Sequence, residues 1–199
     1  MRWVTPPAGM VNPTLPHNDG LVLPAGRIRY FSESECNEIV RLREHYSSKT
    51  AGTGDGGQNV SYRNRNTVVA TFYSDERTAW IFERLESAIG DLMNHFRFEL
   101  AGFFEGAQLY VYPTGGFLNA HMDIGKGYLS TRKLGITVQL SDPASYDGGE
   151  LEFIDSTQTV PRERGTLVIF PTYMLHQVRP VTRGQRLSLV SWVHGPPFR

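Results

Sequence analysis

The sequence predicts an α+β fold, two helices followed by a sandwich or jelly roll of short strands. Three observations carry this. Apolar residues recur at helical spacing between about residues 31 and 96, and from about residue 100 they fall into short β-prone runs. Gly, Pro, Asp and Ser punctuate the gaps between those runs. Helices and then many strands within 199 residues suit one domain with a sizeable core.

Residues 1–27 are rich in Pro, Gly and Asn and lack sustained periodicity, which predicts an irregular arm, leaving 28–199 as the folded domain. A helix is predicted from Phe31 to about His45. Ser32 and Glu35 form a capping-box pair, and Cys36, Ile39, Val40 and Arg43 follow at helical spacing. Residues 49–59 carry four glycines and predict a loop. A second helix is predicted over about Asp75–Phe96, its apolar side made of Trp80, Phe82, Leu85, Ile89, Leu92, Met93 and Phe96. The β-prone runs are Leu109–Tyr112, Leu134–Leu140, Leu151–Phe153, Leu167–Phe170, Leu175–Val178 and Leu187–Val193.

Charge narrows the function. Lys plus Arg equals Asp plus Glu, 20 against 20, and the pI is about 7.0, so the basic footprint of a nucleic-acid binder is missing. Cys36 is the single cysteine, which excludes an intramolecular disulfide and any multi-cysteine metal site. The N-terminus lacks the apolar run of a signal peptide, and no stretch approaches the roughly 18 apolar residues of a spanning helix. The expectation is a cytoplasmic protein with no membrane partner.

The chemistry gathers around His121-Met122-Asp123. In an extended segment, residues two apart project from one face, so imidazole and carboxylate converge. Neutral imidazole nitrogen beside a hard carboxylate oxygen suits Fe(II) and related divalent metals. His176, after the strand-like run 166–170 and the turn at Pro171, is the best third ligand. Two imidazoles and one carboxylate leave three positions open on the metal, the facial arrangement of non-haem Fe(II) oxygenases. Taken alone, His-x-Asp fits two polar residues on a solvated strand equally well.

Three blocks sharpen this. They are Leu109–Pro113 leading into His121-Met122-Asp123, then Gly148–Phe153, then His176–Thr182 running on to Gly184-Gln185-Arg186. In order and spacing they resemble the prolyl 4-hydroxylase-like (PKHD-type hydroxylase) branch of the 2-oxoglutarate and Fe(II)-dependent oxygenases, over about residues 28–195. The resemblance implies a double-stranded β-helix, with helical support over about 31–96 packed on one sheet and a jelly-roll core over about 100–195.

It also implies a site. Fe(II) is held by His121, Asp123 and His176, with 2-oxoglutarate and O₂ as co-substrates and ascorbate as a stimulant. Arg186, ten residues after His176, takes the place of the cation that grips the far carboxylate of 2-oxoglutarate, a task suited to the planar guanidinium. Arg179 and Arg183 compete by charge alone and read as surface residues in turns. Tyr112 matches the position whose phenol bonds the co-substrate, although a core tyrosine would look the same. Leu151 should wall the pocket. Ser188 shares the strand face of Arg186 and either adds a hydroxyl contact or fills the barrel interior. Gln139 departs from the tyrosine found in relatives with protein substrates, while its amide can still donate to a carboxylate. His17 falls in the arm, and His45 and His95 sit near helix C-termini, where the dipole favours positive charge. His194 is the rival ligand, read here as the end of a strand.

The implied reaction is hydroxylation of an unactivated carbon in a small-molecule or peptide substrate built on an amino-acid unit, prolyl or lysyl first, releasing succinate and CO₂. Desaturation or cyclisation of a natural-product intermediate, and a non-catalytic jelly-roll binding module, are the alternatives. Residues 49–66 are expected to close over substrate, with Arg63 or Arg65 touching it; a solvated loop is the other reading. Oligomeric state leaves no mark in the sequence.

Overall fold

Ser32 starts the first helix as its neighbours predict. In the computed structural model, which describes residues 23–50, 65–154, 156–157 and 159–198, the Ser32 hydroxyl accepts from the Glu35 amide and the Glu35 carboxylate accepts from the Ser32 amide. This reciprocal pair satisfies two amides that the first turn would otherwise leave open. The chain runs through β1 (Ala25–Arg27), α1 (Glu33–Leu42), β2 (Ser48–Thr50), β3 (Arg65–Asn66), β4 (Val68–Phe72), α2 (Ala79–Phe96), β5 (Ala107–Tyr112) and β6 (Phe117–His121). It continues through β7 (Arg132–Gln139), β8 (Asp147–Gly148), β9 (Leu151–Phe153), β10 (Leu167–Pro171), β11 (His176–Val178), β12 (Val181–Arg183) and β13 (Arg186–His194).

Seven strands form one sheet in the order β1-β10-β7-β13-β5-β4-β2, and four form a second in the order β3-β6-β11-β9. A short β12-β8 pair forms a separate two-stranded sheet. Cys36, Ile39 and Leu42 of α1 pack with Ile81, Leu85, Ala88, Ile89 and Phe96 of α2 against Ala70, Leu109, Ile136, Val138, Ile169 and Leu189 of the large sheet. Alternate residues on the same strands point the other way. Val69, Tyr110 and Tyr112 meet Val178 of the smaller sheet, and Val168 and Phe170 meet Phe153. Every residue of β7 is buried because both of its faces are covered. The result is an α+β jelly roll with two helices on its large sheet.

Several boundaries differ from the sequence-based expectation. The arm expected over 1–27 ends in a strand, because Ala25–Arg27 pair with Leu167–Ile169 and extend the large sheet. The first helix tightens into a 3-10 turn at Arg43–His45. The second begins at Ala79, since Asp75 and Thr78 form a hydrogen-bonded turn in which the Asp75 side chain accepts from the amides of Arg77 and Thr78. The stretch from β2 to β4 contributes strands that the sequence pattern did not reveal. The glycine-rich run falls largely outside the described residues, and Arg63 does so wholly. Among the described residues no helix is long and apolar enough to cross a membrane.

Candidate active site

Antiparallel pairing of β6 with β11 sets His121 directly opposite His176. Asp123 follows β6, with its amide donating to the Thr172 carbonyl at 2.8 Å. His121 Nε2 lies 3.4 Å from one Asp123 carboxylate oxygen, and His176 Nε2 lies 3.7 Å from the other. Each residue offers one donor atom within 4.8 Å of the others. The expected trio is thus brought together.

Both rings are oriented from behind. His121 Nδ1 is 2.9 Å from the Asn119 carbonyl and His176 Nδ1 is 2.9 Å from the Met174 carbonyl. A carbonyl only accepts, so each Nδ1 carries the hydrogen and each Nε2 presents its lone pair to the cluster. The Phe170 and Phe153 rings pack on His176 with centroids 4.7 and 5.9 Å away. Burial lowers the His176 pKa, with the Asp123 charge opposing, which favours the neutral ring. For Asp123, burial works upward, yet the His176 and His121 rings when protonated, together with Arg132, outweigh it and hold the carboxyl well below the usual carboxylate range. Neutral imidazoles and an ionised carboxylate are the donor forms a divalent cation needs.

Gly135 makes room for this arrangement. A Cβ there would stand 2.7 Å from the Phe170 ring and 3.0 Å from an Asp123 carboxylate oxygen.

The cluster opens into a cavity of about 810 Å³ between the two sheets, lined also by Tyr112, Leu151, Arg186, Ser188 and Arg65. That volume is in the range of ligand pockets, roughly 300–1,000 Å³. On its inner wall Arg186 pairs in register with Tyr112, and Ser188 with both Tyr110 and Gln139. Arg186 is only 4% exposed, its Nη1 is 3.4 Å from Ser188 Oγ, and its guanidinium stands 5.3 Å from the Tyr112 ring centroid. Among the described residues no carboxylate lies within 4.0 Å of it. A buried cation with no protein anion is costly and invites an anionic ligand. Burial pushes the Tyr112 phenol up to about 12, so it stays protonated as a donor. Arg179 and Arg183 instead face solvent, paired with Glu152 and Asp147.

His194 ends β13 outside the trio, with Nε2 3.0 Å from Glu105 and Nδ1 2.8 Å from Thr131. His95 lies in the last turn of α2, its ring 3.4 Å from the Leu23 carbonyl. The register shifts between Val193 and His194, pairing His194 with Arg132 and skipping Lys133. Such irregularities re-aim side chains, and Arg132 lines the cavity. There it grips both oxygens of Glu105, donates to the Asp123 carbonyl at 3.1 Å, and stacks 3.8 Å from the Trp192 ring centroid. The sequence-based reading missed Arg132 and Glu105, and only the glycine at 135 inside an otherwise β-prone run signals close approach there.

At the mouth stand Tyr73 and Phe104, 69% and 70% exposed, with Met122 and Tyr128. Arg65 reaches in from β3, 4.9 Å from the Tyr110 ring centroid. Lys49 and Arg65, near the two ends of the proposed lid, both line this cavity; 51–64 lie outside the described residues.

The chain is similar to known proteins in sequence and in fold. The sequence model of the 2OG-Fe(II) oxygenase superfamily matches residues 107–194. The PKHD-type hydroxylase YbiX of Escherichia coli O81 (strain ED1a) is 30% identical over 173 residues, 78% of this chain and 72% of that protein. The PKHD-type hydroxylase of Teredinibacter turnerae is 39% identical over 89 residues, 41% of this chain, and the match spans only 39% of that protein's length. In fold, the chain resembles a Pseudomonas putida prolyl-4-hydroxylase, with TM-score 0.69 and 19% identity over 87% of this chain and 92% of that one. It also resembles a Trichoplax adhaerens prolyl hydroxylase in complex with a hypoxia inducible factor peptide fragment, with TM-score 0.64 and 18% identity over 86% of this chain and 83% of that one. The chain belongs to the 2OG-Fe(II) oxygenase superfamily, in its PKHD-type branch, with Fe(II), 2-oxoglutarate and O₂ as the family's cofactor set.

Proposed function

We propose that this chain is a 2-oxoglutarate-dependent hydroxylase acting on an unactivated carbon of an amino-acid unit, free, carrier-bound or peptidyl, with prolyl and lysyl groups the first candidates. One observation carries the reading: Arg186, a buried cation with no anion beside it among the described residues, lines the same cavity as His121, Asp123 and His176. An iron centre fits these donors, two imidazoles whose Nε2 atoms face a shared carboxylate, and a dicarboxylate fits Arg186. Fe(II) would be held by His121 Nε2, an Asp123 oxygen and His176 Nε2, and with 2-oxoglutarate and O₂ it supplies the oxidant that hydroxylates carbon.

The protein's own share follows from its residues. The carbonyls of Asn119 and Met174 fix the two imidazoles, and Phe153 and Phe170 keep water from the His176 side. Arg186 takes the far carboxylate of the co-substrate through paired hydrogen bonds, with Ser188 beside it. The protonated Tyr112 phenol donates to the co-substrate, and Leu151 gives it an apolar wall. At the mouth, Arg65 meets a substrate carboxylate or peptide carbonyl, while Tyr73, Phe104 and Tyr128 offer apolar contact. The functional unit is one domain spanning 28–199, extended at its edge by β1.

The test is incubation with Fe(II), 2-oxoglutarate and panels of amino acids and peptides, followed by mass spectrometry. A product heavier by one oxygen, formed with an equal amount of succinate, is the expected result. Oxidation confined to nucleobases or lipids would overturn the substrate class.

A further inference from the structure

β7 is buried along its whole length, yet it carries a glycine near its centre. Gly135 lies outside the left-handed region, so its backbone conformation does not demand glycine. Glycine in a strand interior weakens the strand and marks a close approach by another group. Two groups make that approach here. Phe170, the register partner of Gly135 on β10, lays its ring where a side chain would stand, and an Asp123 carboxylate oxygen fills the space that remains. A Cβ at 135 would come within 2.7 Å of Phe170 Cζ, 2.8 Å of Phe170 Cε2 and 3.0 Å of Asp123 Oδ2.

The backbone of Asp123 is fixed from both sides. Its amide donates to the Thr172 carbonyl at 2.8 Å, and its carbonyl accepts from Arg132 at 3.1 Å. The carboxylate is held differently. Ligating carboxylates are commonly oriented by outer hydrogen bonds. Among the described residues no amide, hydroxyl or guanidinium donates to either oxygen, and the partners within 4.0 Å are the Nε2 atoms of His121 and His176, its own co-ligands. Phe170 has nowhere to retreat. It is 2% exposed, and its ring packs on those of Phe153 and His176 with centroids 5.0 and 4.7 Å away. A side chain at 135 would therefore turn the carboxylate, the rotatable partner of the three.

We infer that Gly135 positions the Asp123 carboxylate for the metal, through a slot walled by the Phe170 ring that only a bare Cα leaves open. This rests on the reading of His121, Asp123 and His176 as the iron ligands. The carboxylate ligand is thus oriented by shape rather than by outer hydrogen bonds, and position 135 decides whether it faces the two imidazoles.

The experiment is calorimetric titration with Fe(II) without O₂, beside urea unfolding of the metal-free protein. Gly135→Ala should weaken Fe(II) about 10- to 100-fold, the scale on which outer partners of a ligand act. Phe170→Leu removes Cζ and both Cε atoms, so Gly135→Ala made in that background should weaken Fe(II) by a smaller factor than it does in the parent. A merely structural role would give an equal or larger loss there, and that result overturns the slot. If Gly135→Ala does not fold, Gly135→Ala combined with Asp123→Ala decides. Without the carboxylate the new Cβ has room, and the double variant should unfold at a urea midpoint close to that of Asp123→Ala; a double variant that also fails to fold overturns the inference. If Asp123→Ala binds Fe(II) as tightly as the parent, the ligand reading itself falls. If it loses Fe(II) while Gly135→Ala keeps the parent affinity, the role of Gly135 falls and the ligands stand.

Discussion

His121 and His176 are register partners across β6 and β11, with ring centroids 4.3 Å apart and each Nδ1 bonded to the carbonyl two residues before it. The same backbone pairing that builds the small sheet therefore aims both Nε2 atoms at the Asp123 carboxylate. Replacing His121, Asp123 or His176 by Ala should each weaken Fe(II) binding beyond the roughly 10- to 100-fold that outer partners cost. His45→Ala, His95→Ala and His194→Ala should retain tight binding. Calorimetric titration with Fe(II) under argon checks this, and loss of metal in His194→Ala with retention in His176→Ala would reverse the assignment.

Much of this was legible because the signals were local. The Ser32–Glu35 pair marks the start of α1, and His121-Met122-Asp123 keeps its spacing whatever surrounds it. Arg186 and Ser188 share a face because the period of a strand is two. What escaped depends on register and on contacts between distant segments. Arg132 turns toward the cavity through a shift between Val193 and His194, and no periodicity encodes that shift. Glu105 acquires meaning only from the arginine 27 positions later that it binds. The strands β2, β3 and β4 flank the glycine-rich run, and two of them are too short to show a pattern.

Arg132 and Glu105 form a mostly buried ion pair, with side chains 10% and 14% exposed. Breaking such a pair from one side leaves an uncompensated charge, at a cost of about 3–5 kcal/mol. Arg132→Met should therefore lower unfolding stability by that order in urea titration. It should also weaken Fe(II) about 10- to 100-fold, because the donor to the Asp123 carbonyl is gone. Wild-type metal affinity in a folded Arg132→Met protein would remove Arg132 from the support of the centre.

Arg186→Lys should bind 2-oxoglutarate more weakly than the parent while holding Fe(II) as tightly, since an ammonium cannot reproduce two parallel hydrogen bonds. Arg179→Ala and Arg183→Ala, both at exposed ion pairs, should leave co-substrate affinity unchanged. A larger effect from either exposed arginine would move the anchor.

Ser32→Ala should destabilise the protein by about 1 kcal/mol, the usual worth of a serine N-cap. The Glu35 carboxyl has a lowered pKa: partial burial pushes it up, but hydrogen bonds from Ser32 and the nearby Arg84 prevail. A carboxyl with a depressed folded pKa stabilises above its unfolded pKa and loses that contribution as pH falls through the folded value. The penalty of Glu35→Gln, measured by urea unfolding, should therefore be larger at neutral pH than in acid. An equal penalty at both would show that the charge is not what matters.

The central claim is most directly tested by anomalous diffraction at the iron edge, from crystals grown without O₂ in Fe(II) and 2-oxoglutarate. The account predicts one iron peak bonded to His121 Nε2, an Asp123 oxygen and His176 Nε2, with the far carboxylate of 2-oxoglutarate against Arg186. Iron bound instead at His194 and Glu105, or 2-oxoglutarate lying away from Arg186, would contradict it.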